Sequence, residues 1–175
     1  MQIFGVCGPG DAVLTKKGKY GLKAMAHLAQ FPPGEFTHVV DIAEEQRIPK
    51  RFLNAILFEL RSFGFVNSKM GKNGGYTLAR EAETITVGEI VRAIDGPLAP
   101  IACASKTRYQ RCDDCVSEFT CPVRLVMVEA QRALSQVLDN CSLARVRQLG
   151  RPGAIDALCE APPPQSPPRL AVVKN

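Results

Sequence analysis

The chain has 175 residues, 46% of them hydrophobic, and a net charge of +5 at neutral pH. That length buries one domain-sized core plus appendages rather than two large domains, and so mild a charge excludes the histone-like class while leaving an anionic partner open. No apolar run approaches the ~20 residues of a bilayer span, and the stretch from Met1 to Cys7 lacks the basic and apolar regions of a leader, so a cytoplasmic protein with no membrane partner is expected.

Residues 1–12, which include Gly8-Pro9-Gly10-Asp11, have no periodicity and predict a flexible extension. From Gly18 to Gln30 the apolar residues Tyr20, Leu22, Met25, Ala26, Leu28 and Ala29 recur at helical spacing, and Pro32-Pro33 forces the stop. Thr37 predicts the cap of a short second helix, His38 to Gln46, with Val39, Ile42 and Ala43 facing a core. Arg47-Ile48 then turns the chain into a third helix opened by Pro49, where Phe52, Leu53, Ile56, Leu57, Leu60 and Phe63 form one apolar stripe. The other face carries Arg51, Asn54, Phe58 and Ser62, and Gly64 ends the helix.

Phe65 to Lys69 and Gly75 to Leu78 read as two short strands joined by a glycine-rich basic hairpin, residues 70–74. Thr86-Val87-Gly88-Glu89 is a capping box that opens a helix through Ile90, Val91 and Ile94, closed by Gly96-Pro97. After the cysteine-rich stretch, a long helix is predicted from Pro122 to about Asn140. Val123, Met127, Ala130, Leu134 and Val137 recur along it at alternating four- and three-residue steps, a seam suited to pairing with a second copy; packing on its own domain is the alternative. Residues 150–175 contain Pro162-Pro163-Pro164 and Pro167-Pro168 and predict a disordered tail.

The expected fold is therefore mainly α with a small β-hairpin. A winged helix-turn-helix domain spans residues 13–100, a cysteine-rich sensing loop 101–121, and a dimerisation helix region 122–149.

Two constellations carry chemistry. A helix-turn-helix with a basic wing places one helix where it can enter the major groove of duplex DNA. The candidate contacts are Lys50, Arg51 and Asn54 on the third helix, Lys69 and Lys72 on the wing, and Tyr20 on the first helix. Arginine offers a fork to guanine and asparagine a bidentate pair to adenine, while the lysines suit phosphates or the minor groove. Each of these alone reads as a solvated side chain; their joint occurrence on such a scaffold points to DNA.

The second constellation is Cys103, Cys112, Cys115 and Cys121, four soft donors in a stretch interrupted by Arg108, Tyr109, Arg111, Asp113 and Asp114. A loop this polar is not core. Clustered thiolates suit an iron–sulfur cluster or zinc, and nearby arginines are expected to lower the thiol pKa values. Structural zinc uses two close pairs, whereas only Cys112 and Cys115 form one here, so an iron–sulfur cluster (2Fe–2S or 4Fe–4S) ranks ahead of zinc. A thiol switch, with Cys112 and Cys115 as its natural pair, ranks third. Cys7, Cys141 and Cys159 read as scattered small apolar residues. An enzymatic reading, a small thiol oxidoreductase, lacks both a βαβ setting around the cysteines and a dinucleotide-binding glycine fingerprint.

The order of parts resembles the Rrf2 family of winged-helix regulators, in its IscR- and NsrR-like branches. The resemblance runs from about Leu14 to Leu149. It rests on Leu14-Thr15-Lys16-Lys17-Gly18-Lys19-Tyr20-Gly21-Leu22-Lys23-Ala24-Met25, Asp41-Ile42-Ala43, Gly74-Gly75-Tyr76-Thr77-Leu78-Ala79 and Ile90-Val91-Arg92-Ala93-Ile94-Asp95-Gly96. It implies a homodimer with crossing long helices, bound to a DNA operator that it most simply represses, each cysteine loop lying near the partner's DNA-binding domain. In cluster-bearing members three cysteines and one further group hold the iron, and Cys103, Cys115 and Cys121 occupy the matching order. Cys112 is then an extra thiol. Arg124 stands where IscR-like members have a histidine ligand, and Lys19 where NsrR-like members can place an acidic one. On the DNA side, Met70 takes the wing position where arginine is usual, and Arg47 replaces a turn glycine.

Overall fold

Thr15 opens the ordered fold: its hydroxyl accepts a hydrogen bond from the Gly18 N–H at 3.1 Å and caps α1 (Lys16–Leu28). In the computed structural model, residues 14–72 and 74–150 are described; the expected extension over 1–12 and the tail beyond Gly150 lie outside them. Asp95 reinforces the start of α1, accepting from the Thr15 N–H at 2.9 Å and from its hydroxyl at 2.5 Å. A Cβ on Gly18 would stand 2.1 Å from Asp95 Oδ2, so this approach depends on glycine.

The second helix, α2 (Val39–Gln46), starts at His38 with no side-chain cap, which corrects the role expected of Thr37. Thr37 instead exchanges backbone hydrogen bonds with Tyr76, each 2.9 Å, and so stitches the chain before α2 to the wing. Arg47 follows α2 in the left-handed conformation (φ 52°), alone among the described non-glycine residues. The turn therefore needs the geometry that glycine adopts most readily.

In α3 (Lys50–Ser62) Leu53, Ile56, Leu57 and Leu60 are buried. Phe52 and Phe63, expected on the same stripe, lie at its two edges and remain half exposed, at 48% and 54%. Gly64 (φ +76°) reverses the chain and lets the Phe65 N–H reach the Leu60 carbonyl at 3.0 Å. Strands β1 (Val66–Lys69) and β2 (Gly75–Leu78) pair antiparallel in the register Val66↔Leu78 through Lys69↔Gly75.

A 3₁₀ turn over Ala82–Thr84 leads to α4 (Val87–Ile94). Both bonds of the Thr86/Glu89 capping box form, Glu89 N–H to Thr86 Oγ1 at 3.2 Å and Thr86 N–H to Glu89 Oε2 at 2.8 Å. A second 3₁₀ turn, Ala102–Ala104, begins the cysteine-rich loop, and α5 (Pro122–Asp139) follows. A short α6 (Leu143–Leu149), which periodicity alone merged into the preceding region, folds back to bury Leu143 and Ala144 in the main core.

That core is shared by α1, α2, α3, the hairpin, α4 and α6, with Met25, Ile42, Leu57, Leu78, Ile85 and Ile90 all at or below 2% exposure. By contrast, α5 buries only Gln131. Its inner side leans on α4 and on the Ala102–Ala104 turn, and Arg92 holds its far end through Asp139 at 2.5 Å. No described helix is long and apolar enough to cross a membrane.

Candidate functional site

The third helix carries the candidate DNA contacts on its free face. Its core stripe faces α1, α2 and the hairpin, so Lys50, Arg51 and Asn54 are left exposed on its first two turns. The turn at Arg47 and the cap at Pro49 set the angle at which that N-terminal half projects. Lys17 on α1 pairs with Glu59 at 2.5 Å and fixes α3 from the side. Lys69 and Lys72 lie exposed on the wing, with Lys69 Nζ 5.9 Å from the centre of the Phe36 ring. Met70 is 96% exposed beside them.

Tyr20 is half-buried, not free: its ring meets Phe52 edge-on at 6.0 Å, and Lys16 Nζ lies 5.8 Å from its centre. The structure thus gathers Tyr20, Lys16 and Phe52 at the N-terminal end of α3, a grouping that sequence separation conceals. Phe58, 69% exposed on the outer face of α3, completes a surface both basic and apolar. Such a surface can meet phosphates, base edges and thymine methyl groups.

The second site forms at the head of α5. Cys103 is buried in the Ala102–Ala104 turn, Cys121 is the N-cap of α5, and Cys112 and Cys115 lie on the loop between them. All four line one cavity of about 440 Å³, with Asp114 and Arg124 also on its wall. Cys121 at the N-cap places the positive end of the α5 dipole beside these thiols. Among the described residues, no three His, Cys, Asp or Glu side chains converge closely enough to hold a single metal ion.

The arginines do not lower the Cys112 thiol as expected. The Cys112 pKa is raised, first by the hydrogen bond it shares with Cys103, then by desolvation and the nearby Cys103, Asp114 and Cys121 charges. The guanidinium groups are engaged elsewhere. Arg111 Nη2 donates to the Cys115 carbonyl at 2.9 Å. Arg124 donates from Nε to the Cys103 carbonyl at 3.0 Å and from Nη1 to the Glu118 carbonyl at 3.3 Å, while its guanidinium lies 5.9 Å from the Tyr109 ring centre. Tyr109 in turn donates its hydroxyl to Glu118, and that bond raises the phenol pKa. The Cys115 N–H makes a turn bond to the Cys112 carbonyl at 3.2 Å.

Beyond the loop, α5 presents Val123, Val126 and Val137 to solvent at 59%, 62% and 63% exposure, with Ala133 exposed between them. Met127 and Leu134, expected on the outward seam, are half-buried toward the chain's own domain. Two of the expected seam positions, Val123 and Val137, thus lie on this open face, with Val126 beside them.

A helix-turn-helix followed by a basic antiparallel wing defines a winged-helix transcriptional regulator, a DNA-binding protein and not an enzyme. The chain belongs to the Rrf2 family, whose model, described as an iron-dependent transcriptional regulator, matches residues 14–148. It is 39% identical to the rrf2-like HTH-type transcriptional regulator of Rhodobacter capsulatus, over 81% of this chain and 97% of that protein. It is 31% identical to protein rrf2 of Nitratidesulfovibrio vulgaris, over 75% and 84% respectively. Among solved structures it is similar to CymR, the global cysteine regulator of B. subtilis, with a TM-score of 0.64 and 29% identity over 79% of this chain and 98% of that one. T. potens IscR gives a TM-score of 0.60 and 29% identity over 79% and 88%.

Proposed function

We infer that this chain acts as a homodimer on a roughly palindromic operator, most simply as a repressor, and that it senses iron–sulfur, redox or nitric oxide status through a cluster held by its cysteines. One observation carries the reading: Cys103, Cys112, Cys115 and Cys121, dispersed over a polar loop, line a single cavity at the N-terminus of α5. The donor set fits the group. Four free thiols around one cavity are the soft donors that an iron–sulfur cluster takes, and Cys103, Cys112, Cys115 and Cys121 would hold it.

When bound, the cluster supplies redox chemistry and reactivity toward oxidants. The chain's own residues do the rest. Arg124 ties the Cys103 backbone to α5, and Arg92 and Asp139 tie the far end of α5 to α4. Loop order at the cysteines is thereby linked to the helix that pairs with the partner. The exposed valines of α5, continuous with Val116 (96%) and Phe119 (82%) on the loop, support a twofold pairing that covers both.

At the DNA, Lys50, Arg51 and Asn54 enter the major groove while Lys69 and Lys72 follow the backbone, with Tyr20 and Lys16 beside the helix entry. A coupling of only ~1–3 kcal/mol between cluster state and operator affinity changes occupancy by about 5- to 150-fold, enough for a switch.

A second reading has one observation in its favour: four free thiols around one cavity, together with the likeness to a cysteine regulator, suit a cluster-free thiol sensor. Anaerobic isolation followed by iron, sulfide and zinc analysis and absorption spectroscopy separates the two. Iron and sulfide in stoichiometric amount with a visible charge-transfer band is the expected result. A colourless protein with stoichiometric zinc, or one free of metal, overturns the cluster.

A further inference from the structure

A second cavity, of about 480 Å³, lies between the C-terminal half of α1, the end of α2 and α6. Ala26, His27 and Gln30 of α1 form one wall, Gln46 at the end of α2 another, and Val146 and Arg147 of α6 a third. Its volume falls in the range of small-molecule sites.

His27 is the anomaly. It is 2% exposed, and neither ring nitrogen has a hydrogen-bond partner among the described residues. Buried polar atoms are paired in the large majority of cases, because leaving one unpaired forfeits its hydration without return. Glu45 Oε2 stands 3.5 Å from Nδ1 but makes no hydrogen bond in this geometry. One face of the ring is tilted against Phe31 at 5.6 Å between centres, so apolar packing holds the imidazole in place.

The other polar groups on the wall are chiefly donors to an acceptor. Arg147 uses Nη1 on the Ala29 carbonyl at 3.1 Å, and a guanidinium carries further N–H groups in the fork that matches a carboxylate. Gln30 and Gln46 add side-chain amides, and Ala26 and Val146 add a short apolar surface. A cation, a buried imidazole and two amides around a small partly apolar space are the complement of a compact organic acid.

The position gives such a ligand leverage. Gln46 is the last residue of α2, directly before the turn at Arg47 that aims α3, and its carbonyl already accepts from Lys23 of α1. Arg147 belongs to α6, which continues from α5. We propose that this cavity is an effector site for a small organic carboxylate, which bridges Arg147 of α6 to His27 and Gln46 and so clamps the helix-turn-helix against the end of the dimerisation region. The site is separate from the cysteine cavity, and it stands or falls independently of the cluster.

Histidine-ring NMR on the full-length protein tests this directly, because the chain has two histidines and the exposed His38 serves as an internal reference. Acetate, pyruvate, succinate and citrate are titrated at millimolar concentration and constant ionic strength, against inorganic phosphate and chloride. At least one carboxylate should move the His27 signals saturably and leave those of His38 in place. Arg147→Gln, an exposed position whose fold is verified by circular dichroism, should weaken that binding by about tenfold or more. Operator affinity should differ between the free and carboxylate-bound protein by about fivefold or more.

The proposal is overturned if no carboxylate shifts His27, if phosphate binds as tightly as every carboxylate, or if the response survives Arg147→Gln unchanged. Removal of residues 151–175 provides one further arm. If that truncation shifts His27 in the absence of any added acid, the chain's own tail fills the cavity and the small-molecule assignment fails.

Discussion

Arg124, on the first turn of α5, donates from Nε to the carbonyl oxygen of Cys103 at 3.0 Å, across 21 residues of sequence. Arg124 is a clasp and not a metal ligand, since a guanidinium has no lone pair to offer a metal. Arg124→Ala should leave all four cysteines present yet loosen the turn that carries Cys103. The expected outcome is several-fold faster loss of iron under chelator challenge, with near-native secondary structure by circular dichroism. Arg124→Lys should restore retention only in part, because one ammonium cannot reach the Cys103 and Glu118 carbonyls in the same fork. Equal iron loss from wild type and Arg124→Ala would show that the clasp does not support the site.

If the cysteine cavity holds the proposed cluster, Cys112 decides between three- and four-thiol ligation. Its place on the cavity wall predicts that Cys112→Ser reduces iron and sulfide content as severely as Cys115→Ser. Metal and sulfide analysis of the two variants, prepared side by side without oxygen, reads this out. A Cys112→Ser protein with a full complement would leave Cys112 outside the ligand set.

Groove contacts and backbone contacts should separate by their salt dependence. Arg51→Ala is expected to weaken operator binding by about 1–3 kcal/mol and to relax the sequence preference at one base pair. Lys72→Ala should weaken specific and random DNA alike and lower the slope of log K against log salt by about one. Fluorescence anisotropy at several salt concentrations measures both. If Arg51→Ala lowers all sequences equally, α3 does not read bases through that residue.

The outward face of α5 predicts the oligomer. Val126 and Val137 are each more than 60% exposed in the single chain, and a paired helix would bury them at roughly 25 cal/mol per Å² of apolar surface. A Val126→Glu/Val137→Glu variant places like charges on both sides of such a seam and should sediment as a monomer. Its winged-helix domain should keep the wild-type far-UV spectrum, since neither valine belongs to the main core. A dimer that survives both changes would move the interface elsewhere.

Glu89 links stability to acid. Burial alone would raise its carboxyl pKa, but the hydrogen bonds from the Thr86 backbone and hydroxyl, with Arg80 close by, outweigh that and hold it below the ordinary value. A depressed carboxyl stabilises the fold fully above the unfolded pKa of about 4.3 and loses that contribution as pH falls through the folded value. Glu89→Gln should therefore be the less stable protein at neutral pH, and the gap should close as urea titrations move into the acid range. Because the Glu89 and Arg80 side chains are 41% and 42% exposed, solvent screening keeps the effect modest. A gap independent of pH would mean that the capping geometry, not the charge, is what matters.

Features written in local sequence were the ones most easily read. The Thr86/Glu89 box, the stop at Gly64 and the hairpin between Lys69 and Gly75 each depend on neighbours within a few residues, and all form. What depends on distant chain was hidden. Phe52 and Phe63 have the right spacing for the core stripe, yet only the packed arrangement of α1 and the hairpin determines that they fall at its edges. Thr37 has good capping chemistry, but its backbone is taken by Tyr76. The gathering of all four cysteines around one cavity required the loop to fold back to the head of α5, and α6 has too few residues to announce itself by periodicity.

α5 is fastened at both ends to the same body. Its head is clasped through Arg124 to the Cys103 turn, and beyond its foot Ser142 pairs with Thr86 while Leu143 is sealed into the interior. A rod pinned at two points cannot swing freely. Disturbance of the cysteine loop must either bend the rod, which eighteen helical residues resist, or tilt it together with the Thr86 segment and the α4 helix that segment begins. The mechanical consequence is that the cysteine loop and the floor beneath α1 are coupled through one rigid strut, and anything gripping the outer side of that rod would feel the same tilt.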